Sequence, residues 1–158
     1  MSVQPPALDP RTLEAQSRSG YPAPYAARVL PRAVRRLGVA LGLTRIGVNL
    51  ATLLPGKESS MRHWHTHEDE FVYLLEGEVV LRTDGGEQLL QPGMCAGFPA
   101  GSTDGHQLIN RGDQPALYLV VSNRDPADRG YYSDPDVDLM FSPPHAPRQF
   151  THRDGTPW

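Results

Sequence analysis

Between residues 44 and 122 glycines and prolines punctuate the chain, with one long uninterrupted stretch at 57–76. Most of the punctuated segments are short, apolar, and rich in β-branched and aromatic side chains. "TRIGVNLATLL" (44–54) is stopped by Pro55-Gly56, and "EFVYLLEGEVVLRT" (70–83) carries a turn signal at Glu76-Gly77. "DGG" (84–86) reads as a hairpin turn, because glycine supplies the positive φ such turns need. "EQLL" (87–90), "CAGF" (95–98), "HQLIN" (106–110) and "ALYLVVS" (116–122) follow, separated by turns at Pro92-Gly93 and at 99–101. Strand signals recurring about every eight to twelve residues point to an all-β sandwich or barrel rather than to long helices.

The flanks differ in texture. Residues 1–43 include the run "SGYPAPYAA" and read as an N-terminal arm, extended unless it packs on a partner. Within it, "RVLPRAVRRLGVALGL" (28–43) has room for a short helix, and Arg28, Arg32, Arg35 and Arg36 read as a solvated face. Residues 123–158 are turn-rich and polar, and are expected to wrap the barrel as an irregular C-terminal extension. The expected organisation is therefore an arm over 1–43, one β-barrel over 44–122, and an extension over 123–158.

A chain of 158 residues is long enough for one domain with a real core. A net charge of −3 supplies no positive field to engage phosphates, which argues against a nucleic-acid surface. No apolar run approaches the roughly 18 residues of a membrane span. "MSVQPPALDP" lacks the basic and apolar regions of a secretory signal. The single cysteine, Cys95, excludes an intrachain disulfide, fits a cytoplasmic setting, and is expected to pack as a small hydrophobe.

The chemistry concentrates in "HWHTHEDE" (63–70), three histidines and three carboxylates in eight residues. On a strand, alternate side chains share a face, so His63 and His65 point one way and Trp64 the other. Two histidines on one face can grip one ion. His67 shares their parity only if the strand continues, and Glu68 and Asp69 look like a bend. From Glu70 the alternation restarts, with Glu70, Val72 and Leu74 on an inner face. A carboxylate among apolar neighbours needs a cation or a donor. The next inward histidine is His106, on a strand with Leu108 and Asn110.

At this point the chain resembles a known family, the cupins, small double-stranded β-helix (jelly-roll) barrels. The resemblance rests on two motifs in order. In the first, Gly56 is followed by six residues, His63-Trp64-His65, four residues, Glu70, six residues and Gly77. In the second, Gly93 is followed by five residues, Pro99-Ala100-Gly101, four residues, His106, three residues and Asn110. The spacing departs from the usual pattern by one residue in the first motif and two in the second, changes that loops absorb cheaply. The resemblance implies one divalent metal ion (Zn, Ni, Mn or Fe) held by His63, His65, Glu70 and His106, with no ligand role for His67, Glu68 or Asp69.

Such a donor set, with no thiolate, suits borderline and hard divalent metals and leaves two positions open on an octahedral ion. The function expected is a metal-dependent enzyme on a small polar molecule, sugar-like or hydroxy-carbonyl: an isomerase or epimerase, or an iron dioxygenase. A non-catalytic metal-dependent binding or sensing module is the alternative. Asp104 and His67 are the nearest candidates to move a proton. Asn110 is expected to be structural, His145 and His152 exposed, and Phe71, Tyr73, Phe98 and Trp64 to pack on the outer sheet. The partners expected are a small-molecule ligand and a second copy of the chain in a homodimer, with neither nucleic acid nor membrane.

Overall fold

The computed structural model describes residues 5–142 and 149–158. In chain order, α1 (Ala26–Val29), β1 (Ala33–Arg35) and α2 (Leu37–Ala40) precede β2 (Ile46–Leu53), β3 (His63–His65) and β4 (Glu70–Glu76). Next come β5 (Val79–Thr83), β6 (Gly86–Leu90), β7 (Cys95–Phe98), β8 (Gln107–Ile109) and β9 (Ala116–Asn123). Three short strands follow, β10 (Gly130–Tyr132), β11 (Met140–Ser142) and β12 (Gln149–Thr151). Every pairing is antiparallel, as short strands joined by tight turns require.

One sheet runs β1-β2-β9-β4-β7, a second β12-β11-β10-β3, and a third β6-β5-β8. The second and third meet at a bridge between His63 and His106, whose backbones exchange hydrogen bonds of 3.1 and 2.9 Å. This makes the double-stranded β-helix barrel that the resemblance implies. The expected turns are present. β5 and β6 are joined through Asp84-Gly85, and Gly77 (φ +74°) turns β4 into β5 where a side chain would strike the backbone of Pro115 and Ala116.

Alternation sets the main core. Val72 and Leu74 of β4 point inward with Ala51, Leu53, Leu81, Leu108 and Tyr118, while Phe71, Tyr73 and Leu75 remain exposed on the outer face. A second core joins the two flanks: Tyr25 and Val29 of the arm pack with Met61, Tyr132, Val137, Leu139 and Phe141.

The arm thus packs within its own chain. The segment expected to hold one short helix contains two single turns around β1, which adds an edge strand to β2. Of its four arginines, Arg36 is exposed as expected, and the other three are engaged. Arg28 pairs with Glu58 at 2.9 Å, while Arg32 and Arg35 donate to the carbonyls of Arg18 and Leu13 at 2.8 and 3.0 Å. Long cationic side chains here satisfy the carbonyls of a segment that lacks regular structure. No helix among the described residues is long and apolar enough to cross a membrane.

Candidate metal centre

β3 turns His63 and His65 inward, 6% and 4% exposed, and turns Trp64 onto the ring of Tyr131, 4.8 Å away. The bridge places His106 directly across from His63. Glu70 opens β4 in the opposing sheet. Donor atoms of His63, Glu70 and His106 consequently lie within 4.8 Å of one another. The ring of His65 is 5.0 Å from that of His63, and its own nearest donor group comprises Glu68 and Asp128.

Each imidazole is fixed differently. His63 Nδ1 is 2.9 Å from the Met61 carbonyl and 3.2 Å from the Ser60 hydroxyl. His65 Nδ1 is 2.7 Å from Asp128 Oδ2. Such contacts favour the tautomer protonated on Nδ1, in which Nε2 is the nitrogen that could ligate an ion. His106 is buried with both ring nitrogens lacking a hydrogen-bond partner, and its Nε2 stands 3.4 Å from Glu70 Oε1 without the alignment of a hydrogen bond. Its ring is instead stacked on Phe98, with centroids 3.6 Å apart and planes 4° from parallel.

Burial by itself would raise the Glu70 carboxyl. Contact with His106, and the charges of His106, His63 and His65, overcome it and bring the value down to about 2. A carboxylate held ionised beside three imidazoles, with an orphaned buried nitrogen among them, is a donor set that fits a divalent cation.

The other residues singled out in the sequence divide. His67 is exposed, its Nδ1 2.7 Å from the Thr66 hydroxyl, and does not join the cluster. Asp104 is exposed at the cleft, accepting from the Asp84 N–H at 2.6 Å. Asn110 is fully buried and structural: it donates to the Leu53 and Gln114 carbonyls at 2.8 Å each and accepts from the Gly112 N–H at 2.9 Å. Phe71 and Tyr73 lie on the outer face as expected.

Three expectations are corrected. Phe98 faces inward rather than outward, because β7 pairs Phe98 with Glu70 and so gives it the inner parity. Cys95 is exposed rather than packed, since the same register puts it on the outer face beside Tyr73. His152 is half-buried, stacked on Trp158 at 4.1 Å with its Nδ1 2.8 Å from Asp138 Oδ2. His145 falls outside the described residues.

Sequence reasoning missed Phe98, Glu68 and Asp128. Glu68, 6% exposed, lines the cleft beside the histidines together with Trp64, Phe98, Ser102 and Asp104. No spacing signal links Asp128 to His65, 63 positions earlier.

Comparison with known proteins bears on the same residues. Residues 49–122 match the Cupin domain family. A sugar phosphate isomerase of the cupin superfamily from Silicibacter pomeroyi is 46% identical, with a TM-score of 0.90 over 97% of this chain and 96% of its own. The tetracenomycin polyketide synthase protein TcmJ of Streptomyces glaucescens is 34% identical over 96 residues, 60% of this chain, and the chain spans 61% of that relative's length. The polyketide cyclase RemF of Streptomyces resistomycificus shares the fold, with a TM-score of 0.65 over 82% of this chain and 87% of its own at 19% identity.

Proposed function

The chain belongs to the cupin superfamily, and from that premise we propose that it is a metal-dependent isomerase of a small polyhydroxy-carbonyl compound. The ion is held by His63, His65, Glu70 and His106. The observation that carries the reading is the convergence of His63, Glu70 and His106 within 4.8 Å, with the buried ring nitrogens of His106 left without hydrogen-bond partners. The near full-length similarity to a sugar phosphate isomerase supports the substrate class.

A divalent ion bound there supplies Lewis-acid polarisation of a carbonyl oxygen. The remaining work falls to the chain. The cleft wall carries Glu68, Asp104 and Ser102 beside His65 and His106, polar groups able to hydrogen-bond the hydroxyls of a substrate. Phe98, stacked on His106, contributes apolar surface to the same wall. Aldose–ketose exchange needs one group to take a proton from the hydroxyl-bearing carbon beside the carbonyl and return it to the carbonyl carbon, while the proton of that hydroxyl passes to the old carbonyl oxygen. We assign that transfer to the Glu68 carboxylate, which the Asp125 N–H anchors through Oε1 at 3.1 Å.

The test is proton exchange. Metal-reconstituted protein is incubated in D₂O with a panel of aldoses, ketoses and their phosphates, and deuterium at the carbon beside the carbonyl is followed by NMR. The reading expects exchange that Glu68→Gln abolishes and ion binding that it spares. Bound metal with no exchange on any member would favour the non-catalytic binding module.

The second partner in this proposal is another copy of the chain. The outer face of the five-stranded sheet carries apolar rows set by register: Val48, Val121 and Phe71, then Leu50, Leu119 and Tyr73. Phe71 and Tyr73 are exposed there and the other four are half-buried; an apolar sheet face of this kind is one that association covers, and a two-fold pair covers it on both copies.

A further inference from the structure

Asp128 lies in the connection between β9 and β10, beyond the residues matched to the family, and is fully buried. Its Oδ2 is 2.7 Å from His65 Nδ1. Its Oδ1 accepts from the backbone N–H groups of His67 and Glu68 at 2.8 and 3.3 Å, with the Thr66 hydroxyl at 3.4 Å. The next residue closes the same contact. The Thr66 N–H donates to the Arg129 carbonyl at 3.0 Å, and the Arg129 N–H donates to Thr66 Oγ1 at 2.9 Å.

Two readings compete. Donor atoms of His65, Glu68 and Asp128 lie within 4.8 Å of one another, as they would around a second ion. Two ligands of a common ion at bond lengths near 2.1 Å stand roughly 3 Å or more apart, however. The 2.7 Å between His65 Nδ1 and Asp128 Oδ2 is a charge-assisted hydrogen-bond length. The second carboxylate oxygen already serves two amides. The triad is a clamp, and a second ion does not fit it.

We propose that Asp128 is the positioning residue of the metal centre. It holds the proton of His65 on Nδ1, leaves the Nε2 lone pair as the ligand, and ties the 66–68 turn that leads to Glu70. This rests on the reading of His65 as a ligand given above. The C-terminal extension thereby becomes part of the site.

Asp128→Asn keeps the shape and changes the proton. With its one carbonyl oxygen held by the His67 and Glu68 amides, its NH₂ would face His65 Nδ1. Only the imidazole tautomer protonated at Nε2 can accept from it, and that tautomer cannot ligate through Nε2.

The experiment is a Co(II) titration of the metal-free full-length chain against a competing chelator, for wild type, Asp128→Asn, His65→Ala and the double variant. Asp128→Asn should weaken Co(II) binding about 10- to 100-fold and add little to His65→Ala. Unchanged affinity, or the same loss in both backgrounds, would overturn the proposal.

Nitrogen-15 NMR of the His65 ring in metal-free wild type is the second readout, and it needs no variant to fold. Protonation at Nδ1 is expected; protonation at Nε2 overturns the role of Asp128 and leaves the metal centre itself standing. Failure of wild type to bind Co(II) would overturn both.

Discussion

Gly77→Ala and Gly56→Ala differ in a way that isolates one physical term. Both glycines sit in the left-handed region, at φ +74° and +73°. An alanine in that conformation costs about 1–2 kcal/mol at either position. At Gly56 a built Cβ meets nothing within 4 Å, so this is the whole cost. At Gly77 the Cβ would stand 2.7 Å from the Pro115 carbonyl oxygen and 2.8 Å from Ala116 Cα. Those are backbone atoms where β9 begins, and β9 pairs with both β2 and β4. They cannot swing aside as a side-chain tip would, so overpacking adds about 1–3 kcal/mol. Gly77→Ala should therefore lose about 2–5 kcal/mol, a large share of the roughly 5–15 kcal/mol available to a domain. Urea denaturation of the metal-free protein, with both variants at matched m, gives the difference directly. Equal losses for the two variants would refute the clash and leave only the φ cost.

Four further outcomes follow from the same structure. His106→Ala should abolish or sharply weaken ion retention, whereas His67→Ala should retain the ion as wild type does, both read by metal content after dialysis. Phe141, fully buried in the second core and 5.6 Å from the His65 ring, should cost about 3–5 kcal/mol on replacement by alanine, measured by chemical denaturation. Burial pushes the Tyr118 phenol well above its ordinary value of 10.0. The folded state therefore keeps a proton that the unfolded chain releases, so that stability is fully present below pH 10 and falls as pH rises beyond it, a fall that Tyr118→Phe should lessen. The apolar outer face predicts a solution mass of twice the 17.4 kDa chain by light scattering, with Tyr73→Arg returning it to one copy; a single-chain mass for wild type contradicts the dimer.

Much of the barrel was legible because its signals are local. Glycine and proline marked the turns, and alternation in "EFVYLLE" fixed which side of β4 faces the core, so Glu70 could be placed beside Val72 and Leu74. His63 and His65 followed from strand parity, and His106 from motif order. Parity failed where it had no anchor. "CAGF" alternates equally well in either phase, and only pairing with β4 turns Phe98 in and Cys95 out. The short strands of the flanks were not legible for a different reason. β1 and β10–β12 are three residues each, too short for periodicity, and they form because long-range partners offer an edge to pair with. Asp128 belongs to this class: nothing near it in sequence indicates that a turn in "DPADRG" closes over His65.

On the proposed reading, this barrel holds one ion through three histidines and one glutamate. The most direct measurement is elemental analysis of protein purified without a metal-chelating tag, expressed as metal per chain. About one divalent ion per chain in wild type, and little in His106→Ala, is the result the account predicts. A wild-type chain with no metal, even after reconstitution with zinc, nickel, manganese and iron in turn, would contradict it and leave the four side chains as a polar barrel interior.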